Sequence, residues 1–199
     1  MDNKGSANQK INAKDLINVG IFTAIYFLSF FVVGMLGYVP ILMILLPLLL
    51  PVVCGIPFML YLTKVNKFGM VTLMGVIVAI LMFATGHGWP VLVFATLFPL
   101  LADLIFKAGQ YKSWKKTVFG YAVFTQWAIG AMIPMWIMRE SYFAMVREGY
   151  GEQYADQLMA IMSNWMLPVL SVLAVIGAII GAYIGRAALR KHFQRAGIV

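Results

Sequence analysis

Long apolar runs separated by short polar segments constrain the fold of this sequence more than any other feature. A helix that crosses the hydrocarbon core of a bilayer needs about 20 predominantly apolar residues. In lipid, such a helix satisfies its own backbone polar groups. We therefore predict an all-α, polytopic membrane protein, a six-transmembrane-helix bundle whose spans lie at residues 16–37, 41–63, 70–85, 91–106, 118–138 and 161–184.

Composition leaves little room for a separate soluble domain. Hydrophobic residues make up 62% of the 199 and charged residues only 11%, which is too apolar for the wetted surface of a soluble domain. We expect one membrane domain, residues 15–185, between a cytoplasmic N-terminal tail, residues 1–14, and a basic cytoplasmic tail, residues 186–199. The first apolar run is longer than a signal-peptide core, so we expect it to be retained.

The distribution of Lys and Arg predicts the orientation, because basic residues are retained on the cytoplasmic side of a membrane. Thirteen of the 15 lie in the two tails and in the second and fourth loops. The other two, Arg139 and Arg147, share the fifth loop with four acidic residues. Both termini are therefore expected in the cytoplasm. The formal charge of +8 then reflects topology and not a nucleic-acid interface.

Small residues at four-residue spacing let helix backbones approach closely in lipid. The sixth predicted span carries Gly177, Gly181 and Gly185, and we expect them to pack within the chain's own bundle. The first span carries Gly20 and Ala24. For that pair, packing within the bundle and docking of another membrane subunit are both open.

Polar and aromatic residues gather in the first, third and fifth loops, which all open on the predicted outer side. Together they could build a pocket for a small solute, with aromatic walls and a few polar anchors. The alternative is an aromatic belt at the membrane interface. The polar stretch 140–157 resembles an amphipathic segment that lies on the outer surface or covers the pocket. The candidate substrate-binding residues are Tyr38, His87, Trp89, Trp136, Arg139, Asn164 and Trp165.

Titratable residues give little indication of catalysis. No second His or Cys accompanies His87 in the outer loops, so we expect no metal site and no intrinsic cofactor. Asp103 is the one acid inside an apolar run, and we expect it to pair with Lys107, one helical turn away. Protease, hydrolase and phosphate-loop motifs are missing, and we expect the chain not to be an enzyme.

The chain resembles two groups of known proteins. Its length, its six predicted spans, its small-residue first span and its ligand-like outer face resemble the substrate-binding S components of energy-coupling factor (ECF) vitamin transporters. Two segments, KHFQRAGI at 191–198 and ADLI at 102–105 before a basic loop, are similar to the Trep_Strep family of hydrophobic proteins. The resemblance covers essentially the whole chain.

The resemblance implies a substrate-binding subunit of an ABC importer in the bacterial cytoplasmic membrane. Its implied partners are a membrane T subunit and two cytoplasmic ATPase subunits, which hydrolyse the ATP. The Ala-x-x-x-Ala docking motif of S components maps onto Gly20 and Ala24. The implied substrate is a micronutrient, and a vitamin, a haem, a corrinoid and a metal chelate all remain open. The alternatives are a self-sufficient small-solute transporter or channel, and an intramembrane enzyme using Asp103 and His87.

Overall fold

The structure is a computed structural model that describes residues 11–193, with side chains described to residue 191. Residues 1–10 and 194–199 lie outside the described residues. They carry most of the predicted N-terminal tail and five of the eight residues of the KHFQRAGI motif. The described part is all-helical, as predicted, and no strand occurs in it. Its α-helices are α1 (Ala13–Gly34), α2 (Leu46–Lys64), α3 (Met70–Ala84), α4 (Pro90–Ala108), α5 (Trp114–Phe124), α6 (Trp127–Met132), α7 (Pro134–Ile137), α8 (Arg139–Tyr150), α9 (Glu152–Ile161) and α10 (Met166–Ala188).

Within residues 11–193, five segments are long and apolar enough to cross a membrane: Ala13–Tyr38, Leu46–Lys64, Pro90–Ala108, Trp114–Ile137 and Met166–Lys191. The first includes a short 3-10 turn after α1, and a second turn, Pro40–Ile44, leads into α2. Helix α3 is apolar but has only 15 residues. That is about 22 Å of helix, less than the ~30 Å of a hydrocarbon core. The multi-pass architecture is confirmed, and the count of six spans stays a prediction.

The helices pack as a closed ring in which α1, α2, α10, α5, α4 and α3 are successive neighbours and α3 returns to α1. At one end of the ring, Lys67 Nζ lies 2.6 Å from Asp15 Oδ2, and the Arg186 guanidinium lies over the Trp114 ring. We call this the basic end. The opposite, acidic end carries α8 and α9 with Arg139, Arg147, Glu140, Glu148, Glu152 and Asp156. Which end faces the cytoplasm stays a prediction.

Glycines make the contact between α2 and α10 possible. A side chain on Gly181 would overlap the carbonyl of Pro51, and one on Gly177 would overlap the carbonyl of Leu48. On α2, a side chain at Gly55 would overlap the backbone of Gly181. The prediction that the glycines of the last span pack inside the bundle is confirmed.

An aromatic cluster fills the interior of the bundle. Tyr26, Phe58, Tyr121, Phe124 and Trp127 are each at most 3% exposed. The rings of Phe58 and Phe124 lie 4.4 Å apart, and Trp127 Nε1 donates a hydrogen bond of 3.2 Å to the Tyr26 hydroxyl. Each polar tip in this pair thereby has a partner, as buried Trp and Tyr require. The cluster joins α1, α2, α5 and α6.

Asp103 has a partner different from the predicted one. Its Oδ2 accepts hydrogen bonds from Gly69 N (2.7 Å), Thr72 N (3.2 Å) and Thr72 Oγ1 (3.0 Å), and its Oδ1 accepts one from Tyr111 (3.1 Å). Lys107 Nζ instead lies 4.8 Å from the centroid of a phenylalanine ring. The predicted Asp103–Lys107 pair was wrong, because the carboxylate caps the N-terminus of α3, where backbone N–H groups need an acceptor.

Two predicted spans also differ in their bounds. The fifth consists of three consecutive helical pieces, α5 to α7. Between α5 and α6, the Thr125 hydroxyl donates a hydrogen bond to the carbonyl oxygen of Ala122. Between α6 and α7, Pro134 has no N–H to donate to the helix. The sixth begins at Met166, not at Ile161, which ends α9.

Candidate functional site

A cavity of about 250 Å³ lies at the acidic end of the bundle. Its walls come from the second half of α1, residues 35–43, the start of α2, the end of α3 with the loop after it, and α6 with α7. Helices α8 and α9 supply the remaining side. The cavity thus draws on all three loop regions that were predicted to lie together.

Helices α8 and α9 form a hairpin that covers the cavity. The turn between them is Gly151, whose φ of +87° suits glycine. Arg147 joins the two helices, with Nε 3.0 Å from Glu152 Oε2 and Nη2 3.1 Å from Asp156 Oδ1. For residues 140–157, the sequence left open whether the segment lies on the outer surface or covers a pocket. In the structure, α8 and α9 line the cavity.

Tyrosines attach the hairpin to the segment after α1. The Tyr154 hydroxyl donates a hydrogen bond to the carbonyl oxygen of Gly37. The ring of Tyr150 stacks on that of Tyr154 at 5.1 Å and contacts Tyr38 at 5.8 Å. Tyr38 and Tyr150 are 60% and 54% exposed, so they form the rim of the cavity.

The aromatic cluster forms the floor. Phe30 lines the cavity, and its ring lies 4.9 Å from that of Trp127. Tyr26 lies one helical turn further from the acidic end on α1 and hydrogen-bonds Trp127. Packed side chains therefore close the cavity on the side of the basic end.

The lining is mostly apolar, and the described residues give it no charged side chain. It holds no Asp, Glu, Lys or Arg among the residues that the structure describes. In the same part of the chain, no three His, Cys, Asp or Glu side chains lie together as metal ligands would. Methionine is unbranched and polarisable and adapts to irregular ligands. Five methionines face the cavity: Met35, Met43, Met82, Met132 and Met135.

His87 offers a hydrogen-bond acceptor to the cavity. Its Nδ1 lies 3.2 Å from Met82 O and 3.1 Å from Thr85 Oγ1. A carbonyl only accepts, so Nδ1 carries the hydrogen and Nε2 keeps its lone pair. Burial lowers the pKa of His87, against a smaller opposing effect of the bond to Met82. The imidazole is therefore neutral at pH 7, and Nε2 has no partner within residues 11–191.

Tyr142 offers a donor. It lines the cavity from α8, and burial raises its pKa above the ordinary value, so the phenol stays protonated. Its ring packs against Phe143 at 5.4 Å, while its hydroxyl has no hydrogen-bond partner in the described chain.

The seven predicted site residues fall into three groups. Tyr38 and His87 line the cavity. Trp89, Asn164 and Trp165 lie outside its lining, and the two tryptophans are 54% and 64% exposed. Any role of these three in binding stays a prediction without a contact to the cavity.

Arg139 and Trp136 hold the hairpin in place instead of lining the cavity. Arg139 donates to Met162 O at 2.9 Å and to Met159 O at 3.0 Å, carbonyls at and next to the C-terminus of α9. Trp136 Nε1 donates to Ser163 O at 3.0 Å. Both side chains thus satisfy free carbonyl groups where the chain leaves α9.

The hairpin residues that face the cavity were not among the predicted substrate-binding residues. Their signal is helical spacing within a polar segment, which predicts one apolar face on each of two short helices. The residues are Tyr142, Val146 and Tyr150 on α8, and Tyr154 and Leu158 on α9.

Gly20 and Ala24 lie on the outer surface of α1. Both are exposed, and a side chain on Gly20 would meet no atom within 4 Å. The larger residues around them, Ile17 and Leu28, are 61% and 63% exposed. The pair therefore forms a shallow depression in an apolar face, and Gly20 takes no part in packing within the bundle.

A comparison with protein families identifies the family of this chain. The family described as "Hypothetical bacterial integral membrane protein (Trep_Strep)" matches residues 13–195. No curated protein and no solved structure matches the chain. The family description gives a membrane location and no function.

Proposed function

We propose that this chain, which belongs to the Trep_Strep family of hypothetical bacterial integral membrane proteins, is the substrate-binding S component of an energy-coupling factor importer. It captures a small micronutrient in the cavity at the acidic end and releases it inward when a membrane T subunit and ATPase subunits reorient it. The partners hydrolyse the ATP. The chain itself is not an enzyme and uses no cofactor of its own.

The observation that carries the proposal is a covered cavity that is closed on one side. The α8–α9 hairpin covers it, and the cluster around Trp127 blocks the path toward the basic end. A protein of this kind binds a solute but needs a rearrangement to release it across the membrane. An importer subunit driven by partner ATPases fits that requirement.

The two charged ends support the orientation that the proposal needs. Basic residues are retained in the cytoplasm, which puts the acidic end and its cavity outside the bacterial cytoplasmic membrane. In this arrangement α3 also crosses the membrane, as a short span in addition to the five long ones. Its first turn is fixed to Asp103 at the basic end, and Met82 in its last turn lines the cavity.

The exposed depression at Gly20 and Ala24 is the proposed docking surface for the T subunit. In lipid, helices associate through close packing at small residues, since apolar side chains gain little by leaving hydrocarbon. Both residues are exposed, so a second helix can approach the backbone of α1 there without any change in the bundle.

The two other functions receive less support. A self-sufficient transporter or channel needs a path through the bundle, where fully buried aromatic rings are packed. An intramembrane enzyme would need Asp103 beside His87. These residues lie at opposite ends of α4, about 20 Å apart along the helix, and Asp103 already accepts four hydrogen bonds.

Uptake into liposomes tests the proposal. The compound that co-purifies with the chain is the probe, and the liposomes contain the chain alone or with T and ATPase subunits. We expect uptake only with partners and ATP. Equal uptake by the chain alone would favour a self-sufficient transporter.

The double variant Gly20→Leu/Ala24→Leu tests the docking surface in the same assay. We expect binding of the compound to persist while uptake and co-purification with the T subunit are lost. Val172→Leu, on the exposed face of α10, is the matched control and should keep both. Unchanged uptake by the double variant would exclude this docking surface.

A further inference from the structure

The size of the cavity limits its ligand. Its volume of about 250 Å³ is below the range of about 300–1,000 Å³ found for clefts that hold drug-sized ligands. A compound of one or two rings fits beneath the hairpin. A haem or a corrinoid macrocycle is too large for the cavity in this form.

The charge of the lining limits the ligand further. Transfer of an ion from water to a site without a counter-charge is strongly unfavourable. No acidic or basic side chain of the described chain lines the cavity. Arg147, which is close in sequence to lining residues, is already paired with Glu152 and Asp156. An uncharged ligand therefore matches this environment.

Two unpaired polar groups define what the ligand must carry. His87 Nε2 is an acceptor without a partner, and the Tyr142 hydroxyl is a donor without one. A ligand that covers these atoms displaces the water around them, and a polar group that loses water without gaining a partner is destabilising. The matching ligand supplies an N–H or O–H to His87 and an acceptor atom to Tyr142.

The remaining walls favour a flat ring. Methionine sulfur makes favourable contacts with aromatic rings, and aromatic side chains pack well against one another. Met82 and Met132 face the same cavity as Phe30 and Phe31. These side chains offer a planar ligand favourable ring and sulfur contacts.

We infer that the cavity selects an uncharged planar compound of one or two rings that carries both a hydrogen-bond donor and an acceptor. This substrate class rests on the proposed function, in which the cavity is the solute site. It replaces the wider range of vitamin, haem, corrinoid and metal chelate that the sequence left open.

Matched compounds test the charge and the size. Each set presents one ring skeleton in three forms: a neutral amide, the corresponding carboxylate and the N-methyl cation. The first set is nicotinamide, nicotinate and 1-methylnicotinamide. Haem serves as the probe for a large ligand. Binding is measured by the thermal shift of the purified full chain, together with native mass spectrometry of any co-purified compound. We expect neutral members to bind at least about ten-fold more tightly than charged ones. Tighter binding of a charged member or of haem, a charged co-purified compound, or no binding of any neutral member overturns the inference.

Two variants test the polar groups. Tyr142→Phe and His87→Leu should each weaken binding of the neutral compound about ten-fold, since each leaves one ligand atom unpaired. Tyr183→Phe, which removes an exposed hydroxyl at the basic end, is the control and should bind as the wild type does. Unchanged binding by both cavity variants would overturn the assignment of donor and acceptor.

Ala128→Phe separates failure of the substrate class from failure of the proposed function. Ala128 lines the cavity, and a phenyl ring there occupies ligand space. If a charged compound binds the wild type and this variant abolishes its binding, the cavity is the site and only the substrate class fails. If the variant binds any ligand as the wild type does, the cavity is not the site and both fail.

Discussion

The Tyr154 hydroxyl donates a hydrogen bond to the carbonyl oxygen of Gly37, 117 residues earlier in the chain, and thereby fastens the hairpin over the cavity. Gly37 and Tyr154 both line the cavity, so this bond joins two of its walls.

Tyr154→Phe should loosen the cover while keeping the ring contact with Tyr150. One neutral hydrogen bond contributes about 1 kcal/mol, so we expect hydrogen exchange in residues 35–44 and 152–161 to become several-fold faster. Tyr183→Phe is the control at the opposite end. Equal exchange in the wild type and Tyr154→Phe would show that this hydrogen bond does not hold the hairpin.

Gly181→Ala should destabilise the bundle, because its new methyl group meets the backbone of α2 at Pro51 and Val52. Overpacking of this kind costs about 1–3 kcal/mol. Gly20→Ala is the matched control, since its methyl group meets nothing within 4 Å, and an alanine in a helix is favoured over glycine by about 0.5–1 kcal/mol. Measured by thermal unfolding in detergent, the melting temperature of Gly181→Ala should be lower than that of the wild type, and that of Gly20→Ala should not. Equal melting temperatures would contradict the packing of α2 on α10.

Asp103→Ala should destabilise the chain by about 2–4 kcal/mol, because it leaves the backbone N–H groups of Gly69 and Thr72 without their acceptor. Lys107→Met should cost about 1 kcal/mol or less, the value of one cation–π contact. Chemical unfolding in mixed micelles gives both values. A larger loss for Lys107→Met would favour the ion pair that the sequence predicted.

Stability should depend on the pH through His87. Burial lowers its pKa in the folded chain, so the unfolded chain binds more protons near the ordinary value of about 6.5, and stability rises with pH. The contribution is complete above about pH 6.5 and is lost as the pH falls through the lower, folded-state pKa. Between pH 7 and pH 5, the melting temperature of the wild type should fall more than that of His87→Gln, both in a His192→Gln background. Parallel curves would contradict a buried, neutral His87.

The sequence was sufficient for features that depend on local composition. Apolar length predicted the helical, multi-pass architecture, and it placed α3 at residues 70–85 where the structure has Met70–Ala84. Helix α2 continues through Pro51 and Pro57, which a membrane helix tolerates where its neighbours satisfy the freed groups. The glycines of α10 were found because their spacing alone marks a close helix contact.

Contacts between distant residues could not be predicted in the same way. Trp127 bonds Tyr26 across 101 residues, and an aromatic residue inside an apolar run looks the same whether it faces lipid or a neighbouring helix. Asp103 was assigned to Lys107 because only a partner on its own helix is visible in the sequence. Tyr38 and His87 were identified because they lie in loops. A cavity residue within a span, such as Met132, looks in the sequence like a residue that packs against a neighbouring helix.

The most direct test of the central claim, that the cavity beneath the hairpin binds the solute, is native mass spectrometry of the gently purified chain. The wild type should carry a bound small molecule, and Ala131→Phe, which fills the cavity from α6, should lose it. Ala144→Phe adds the same ring on the exposed side of α8 and should retain it. A bound molecule that persists in Ala131→Phe, at the same occupancy as in Ala144→Phe, would contradict the account.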